Sequence, residues 1–201
     1  MKKVVLGMML MMLVVASATA QVNEKKNHWG VRANAEVTFE GSDTKTYWAE
    51  KVWGFNVSAF YQYFLGEKGW YLEPQASFYY MGYDASDEWV GVSDSDAHKM
   101  KEYGLGVALA GGYTFSLSEK CNLQLFTGPD FKYAFSCRNE ADLTDWYFNP
   151  ALLRWKVGAG VNLGNWEVTL SALMDVTKKS KESFYASDRN VALSFGIGYH
   201  F

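Results

Sequence analysis

Four bases and five acids could work together in this chain: Arg32, Lys132, Arg154 and Lys156 against Glu36, Glu73, Asp130, Glu167 and Asp175. Charges withdrawn from water are tolerated when they are paired and hydrogen-bonded. Such a set is either an ion-pair network or the lining of a wet passage. The histidines are His28, His98 and His200. Two of them could begin a metal site, but a metal wants three or four ligands and supporting hydrogen bonds. His98 stands near Ser93 and Ser95, yet no elbow motif presents a nucleophile. Asp94-Ser95-Asp96 has part of a calcium-loop spacing but lacks the glycine and the closing bidentate glutamate. With Asp84, Asp87, Glu88 and Glu102 it reads as a solvated acidic loop. Lys178, Lys179, Lys181 and Arg189 form a basic stretch that could pair with that loop or touch lipid headgroup phosphates. No phosphate loop, paired-cysteine zinc motif or nucleic-acid module is present. No catalytic residue, cofactor or metal is expected.

The elements that must position these charges show period two almost everywhere. At the C-terminus Val191, Leu193, Phe195, Ile197, Tyr199 and Phe201 alternate with Asn190, Ala192, Ser194, Gly196, Gly198 and His200. That run is far longer than the usual ~5–6 residues of a soluble strand. Similar alternation covers 29–38, 53–63, 71–80, 103–113, 122–133, 153–163 and 166–177. Eight strands of this length match the ~9–11 residues that a tilted strand needs to cross a bilayer. Connections after the second, fourth and sixth strands are short: Leu65–Gly69, Ser116–Lys120 and Gly164–Asn165. Those after the first, third, fifth and seventh are long and polar: Phe39–Lys51, Met81–Glu102, Ser136–Ala151 and Lys178–Asp188. Short turns at one end and long loops at the other mark an outer-membrane barrel, turns periplasmic and loops extracellular.

Composition narrows the class. The chain has 201 residues, is 49% hydrophobic and 17% aromatic, and carries a formal net charge of −3. Disorder needs low hydrophobicity, so it is excluded for most of the chain. No apolar run reaches the ~20 residues of a spanning helix. The acidic balance argues against a nucleic-acid partner. Residues 1–20 hold a basic start, an apolar stretch and a small-residue cleavage site, Ala18-Thr19-Ala20, in the order of a secretory signal peptide. Residues 21–201 then form one exported domain.

Side-chain size decides which face looks inward. The interior of eight strands is just wide enough for side chains to fill. One face carries Trp, Phe, Leu, Val and Tyr, while the other is small and polar with many Gly. The bulky face would overfill the interior, so it must face out, and only lipid makes that favourable. Leu193, near the middle of the last strand, then faces lipid and Ser194 the lumen. The nine charges fall on the inward face and nearly balance. Aromatics gather as two girdles: Trp29, Tyr63, Trp70, Tyr113, Phe115, Trp166, Tyr199 and Phe201 at the periplasmic end, and Trp53, Phe78, Tyr80, Tyr103, Tyr133, Phe135 and Trp155 at the other. Cys121 and Cys137 bracket the fifth strand. At about 3.3 Å per residue they lie ~50 Å apart, too far for a disulfide. His28 and His200 are expected to meet at the periplasmic mouth.

The closing Gly196-Ile197-Gly198-Tyr199-His200-Phe201, the segment Trp70-Tyr71-Leu72-Glu73-Pro74-Gln75-Ala76 and the Gly128-Pro129 step carry a resemblance. The chain resembles the small outer-membrane protein β-barrel domain family, the PorT-like and OmpA-like eight-stranded barrels of Gram-negative bacteria. The resemblance implies that Tyr199 and Phe201 belong to the terminal signal read by the barrel assembly machinery. It implies outer-membrane lipid as the surroundings and leaves any envelope or surface partner open. The expected function is a non-enzymatic structural or interaction role through extracellular loops, around a largely filled lumen. A narrow porin-like channel past Asn34, Ser58, Gln75 and Gln124 is the alternative, and a lipid-modifying enzyme a further one.

Overall fold

The computed structural model describes residues 27–39, 51–66, 69–84, 99–139, 149–177 and 190–201. They form eight strands: β1 (His28–Phe39), β2 (Lys51–Phe64), β3 (Trp70–Asp84), β4 (Lys99–Ser118), β5 (Cys121–Asn139), β6 (Ala151–Leu163), β7 (Trp166–Asp175) and β8 (Val191–His200). Each pairs antiparallel with its sequence neighbours, and β1 pairs with β8 to close the barrel. Closure leaves no sheet edge with unpaired backbone groups, the condition for crossing lipid.

Alternation resolves as side-chain size required. Val31, Val57, Leu105, Leu125, Leu170 and Ile197 are exposed on the outer face, while Arg32, Ser58, Glu73, Gln124, Thr169 and Ser194 are buried inside. Leu193 faces out and Ser194 in, but Leu193 pairs with Val37 two residues from the start of β8. It therefore lies near the loop end rather than mid-strand.

The inner face is less uniformly small than its composition suggests. Phe60, Tyr71, Tyr79 and Phe126 are all buried in the lumen. Each has a glycine as a cross-strand partner: Gly30, Gly112, Gly104 and Gly158 respectively. A Cβ at Gly158 would come within 2.5 Å of the Phe126 ring, and one at Gly30 would collide with Phe60. The glycines supply the volume that the rings occupy, so a narrow barrel accepts four large aromatics without overpacking.

Several boundaries move outward. β4 and β5 span 20 and 19 residues, well beyond a bilayer crossing, and their connection tightens from Ser116–Lys120 to Glu119–Lys120. β3 continues to Asp84, and β4 begins at Lys99. The alternation that signals a strand fades there, because Lys99-Met100-Lys101-Glu102 has no apolar face to read. β7 instead ends at Asp175, two residues short of Thr177, whose hydroxyl accepts from the Leu153 backbone N–H at 2.8 Å. In the tight β6–β7 turn Gly164 has φ 62°, a region that L side chains avoid.

Val107 is 58% exposed mid-strand on β4. Val107→Arg is expected to cost about 2–4 kcal/mol of folding stability in bilayer vesicles. Urea titration in vesicles reads the change, and an unaltered midpoint would place this face away from lipid.

Candidate lumen charge network

Two charged clusters cross the barrel interior. Toward the loop end, Glu36 of β1 accepts from Lys132 Nζ of β5 at 2.9 Å and from Arg154 Nη1 of β6 at 3.0 Å. Arg154 also holds Asp130 through both Nε and Nη2. Asn56 donates to the remaining Glu36 oxygen at 2.8 Å. Lys132 lies 4.7 Å from the Tyr79 ring centroid. This cluster therefore ties β1, β2, β5 and β6 together with two cations against two carboxylates.

Toward the turn end, Arg32 forks between two acids from opposite walls. It meets Glu73 of β3 at 3.0 Å and Glu167 of β7 at 2.8 Å. Its guanidinium carbon sits 4.4 Å from the Phe60 ring centroid. Gln62 donates to Glu73, Gln124 donates to Gln62, and Tyr71 donates to Gln124, at 3.4, 3.4 and 3.5 Å. His200 Nε2 stands 3.6 Å from Glu167, and the His200 and His28 rings meet edge to face at 4.6 Å. The planar five-donor guanidinium suits this bridging role better than an ammonium.

Between the clusters lies a cavity of about 30 Å³, bordered by Asn34, Gln75, Thr169 and Ser194. A void of that size has room for only a few waters at most. Lys156 reaches into this layer, donates to Gln75 at 3.1 Å and lies 5.6 Å from the Phe126 centroid.

Of the nine charges read from the sequence, seven join the two clusters and Lys156 pairs with a neutral amide. Asp175 sits half-buried at the loop end, in register with Arg154, and accepts from the Asn190 backbone at 3.4 Å. One acid was assigned elsewhere. Glu102 belongs not to a solvated loop but to the lumen, where it is buried and accepts from Tyr79 Oη at 2.7 Å. The longer β4 is the reason. The amides Asn56, Gln62 and Gln124 and the rings of Phe60, Tyr71 and Tyr79 complete the network. Their only sequence signal was inward parity. Cys121 and Cys137 occupy opposite ends of β5, and Cys121 is a free thiol. His98, Ser93, Ser95, Asp94, Asp96, Lys178, Lys179, Lys181 and Arg189 lie outside the described residues.

The aromatic girdles are packed as well as placed. At the turn end Trp29–Tyr61, Trp70–Tyr113, Trp166–Tyr199 and Tyr199–Phe201 are ring contacts of 4.7–5.3 Å. Residues 19–178 match the family described as outer membrane protein beta-barrel domain. The chain belongs to that family. It is an outer-membrane β-barrel protein, with turns on the periplasmic side and loops outside. The chain is also similar, at low identity, to several solved structures. Ail of Yersinia pestis is 15% identical with a TM-score of 0.45, covering 87% of this chain and 97% of Ail. The neisserial surface protein A, NspA, is 14% identical at 0.46, covering 87% and 97%. The outer membrane enzyme PagL is 12% identical at 0.49, covering 84% and 98%. No curated protein matches the chain.

Removing one partner of a buried ion pair costs about 3–5 kcal/mol, because the other charge is left without compensation. Glu36→Ala leaves both Lys132 and Arg154 short of a carboxylate, so a loss of at least that size is expected. Asp175→Asn, at the half-buried rim, is expected to cost under ~1 kcal/mol. Urea midpoints of the two variants check the ranking.

Proposed function

We propose that this barrel is a non-enzymatic integral protein of the outer membrane with a largely filled lumen. It acts in a structural or interaction role, and its extracellular loops do the recognising. The observation that carries this reading is the pair of clusters spanning the interior, with only about 30 Å³ between them. A hydrated solute needs far more room than a void that holds a few waters. A continuous path would also require parting Arg32 from Glu73 or Glu167, and Arg154 from Glu36, at the full cost of bare buried charges.

The remaining assignments rest on the sequence pattern and the family resemblance. Residues 1–20 act as the signal peptide, with cleavage after Ala20, and Tyr199 and Phe201 serve as the terminal signal for the assembly machinery. Phe201 is exposed and donates its backbone N–H to the Trp29 carbonyl at 2.8 Å, beside the β1–β8 seam. The partners are outer-membrane lipid, that machinery, and an envelope or surface protein met through the loops.

Planar-bilayer recording tests the filled lumen. Purified protein is expected to show no defined single-channel steps. Reproducible steps would make it a narrow pore instead. Lipid A mass spectra are expected to be the same in deletion and overexpression strains, and a changed acyl pattern would make it a lipid-modifying enzyme. Intact mass of protein recovered from outer membranes is expected to begin at Gln21.

A further inference from the structure

The outer wall of the barrel carries a groove one row in from the periplasmic girdle. Gly111 of β4 and Thr127 of β5 are cross-strand partners on the lipid-facing side. Leu72 of β3 and Val157 of β6 complete their row. The next row toward the turns holds Trp70, Tyr113 and Leu125. The next toward the bilayer centre holds Pro74 and Leu109. Two small side chains between rows of larger ones leave a groove of about 630 Å³. Its border on the turn side is a packed set of rings, Trp70–Tyr113 at 4.9 Å and Tyr113–Phe115 at 4.6 Å.

Gly111 is unlike the other strand glycines. At every other described one, a Cβ would come within 3.1 Å of a neighbouring atom, so those glycines make room for the protein itself. A Cβ at Gly111 would meet nothing nearer than Leu72 Cδ2 at 3.9 Å, an ordinary contact. Its φ is not among the positive ones, and no register shift falls at it. Neither backbone strain nor a bulge therefore calls for glycine here. A glycine inside a strand costs backbone entropy and gives up side-chain packing. Bulges and bends aside, it marks a place where another molecule approaches closely.

Thr127, beside it, has its hydroxyl engaged within the wall. The hydroxyl donates to the Lys156 carbonyl at 3.0 Å and accepts from Trp155 Nε1 at 2.9 Å. The rest of the lining is apolar side chain and glycine backbone. The groove opens onto the lipid-facing belt, where Leu72, Leu109, Leu125 and Val157 are all exposed. A void on such a face would leave its lining without contacts on one side.

We propose that this groove is a binding site for one acyl chain of a diacyl phospholipid in the periplasmic leaflet. The chain lies over Gly111 and Thr127, between Leu72 and Val157. Its ester end sits level with Trp70 and Tyr113, whose rings belong at the boundary between hydrocarbon and headgroups. The groove is continuous with the surface that already meets lipid, and it lies at the turn end, which selects the leaflet. A second protein is a poorer fit, because a specific interface buries about 1,000 Å² or more and this groove is two strands wide. The outer face is the same whether or not the lumen conducts.

The test uses the folded protein in neutral detergent, titrated with dipalmitoyl phosphatidylethanolamine. Native mass spectrometry reads the one-lipid adduct, and heat-dependent gel mobility verifies folding of every variant. Gly111→Leu fills the groove and is expected to weaken the adduct about tenfold, the worth of roughly two methylenes losing their burial. Gly111→Ala, which adds a single methyl at ordinary contact distance, is expected to give a smaller loss. Ala33→Leu, an exposed position on β1 across the barrel, is expected to change nothing. Glycerophosphoethanolamine, the same headgroup without chains, is expected not to displace the lipid. An undiminished adduct in folded Gly111→Leu overturns the proposal. So does an equal loss in Ala33→Leu, which would show lipid adhering without a site. Displacement by the chainless headgroup overturns it by making the headgroup the recognised part. A protein dimer that Gly111→Leu abolishes, with no lipid adduct, overturns it in favour of a second copy.

Discussion

Backbone hydrogen bonding in a medium that offers none governs this molecule. Every strand N–H and C=O in the hydrocarbon layer must find a partner within the protein, at several kcal/mol for each failure. The β1–β8 seam satisfies that demand, running from Gly30 opposite His200 to Phe39 opposite Val191. Once the sheet is closed, the remaining choices are coupled. A residue's parity decides between lipid and lumen, and a slip of one would expose the whole inner set to lipid. The ion pairs guard the same register. Arg32 on β1 reaches Glu167 on β7, so a slipped closure would separate them.

Inside, the lumen solves a packing problem and an electrostatic one with the same residues. Large aromatics sit over cross-strand glycines, and the cations lie over those rings while they bind carboxylates. Arg32 over Phe60 and Lys132 over Tyr79 are the two closest cases. The ring excludes water from one side of the charge, and the carboxylate compensates the other. Ion pairs this deeply buried contribute little net stability over well-packed apolar groups of the same shape. Separating one partner from the other would leave a bare buried charge, so a register that parts them is costly.

Outside, the two ends of the barrel differ in what they present. The periplasmic girdle surrounds short turns and the closing strand. The other end packs Tyr80 against Trp53, Phe55 and Tyr103 on the outer face, and there β4 and β5 run past the bilayer. A single extra residue, Phe135, shifts the register of β5 against β4 between Tyr103 and Gly104.

The sequence by itself determined the class, the strand count, the faces and most of the charged set. Period-two alternation with bulky apolar residues on one side leaves a narrow barrel no other way to sit in lipid. Inward parity alone collected Arg32, Glu36, Glu73, Asp130, Lys132, Arg154, Lys156 and Glu167. Which of them meet was decided only by tertiary structure. Strand tilt and closure bring Glu36 to Arg154 across 118 positions of sequence, and no local pattern encodes that stagger. Parity also failed where it had nothing to read. Beyond the membrane β4 carries no apolar face, so Glu102 resembled a loop acid until its pairing with β5 drew it into the lumen. In β5 the bulge at Phe135 reversed parity without any change in composition. Alternation reports what the bilayer demands of each strand, and contacts across the lumen depend on how the eight strands are staggered when the barrel closes.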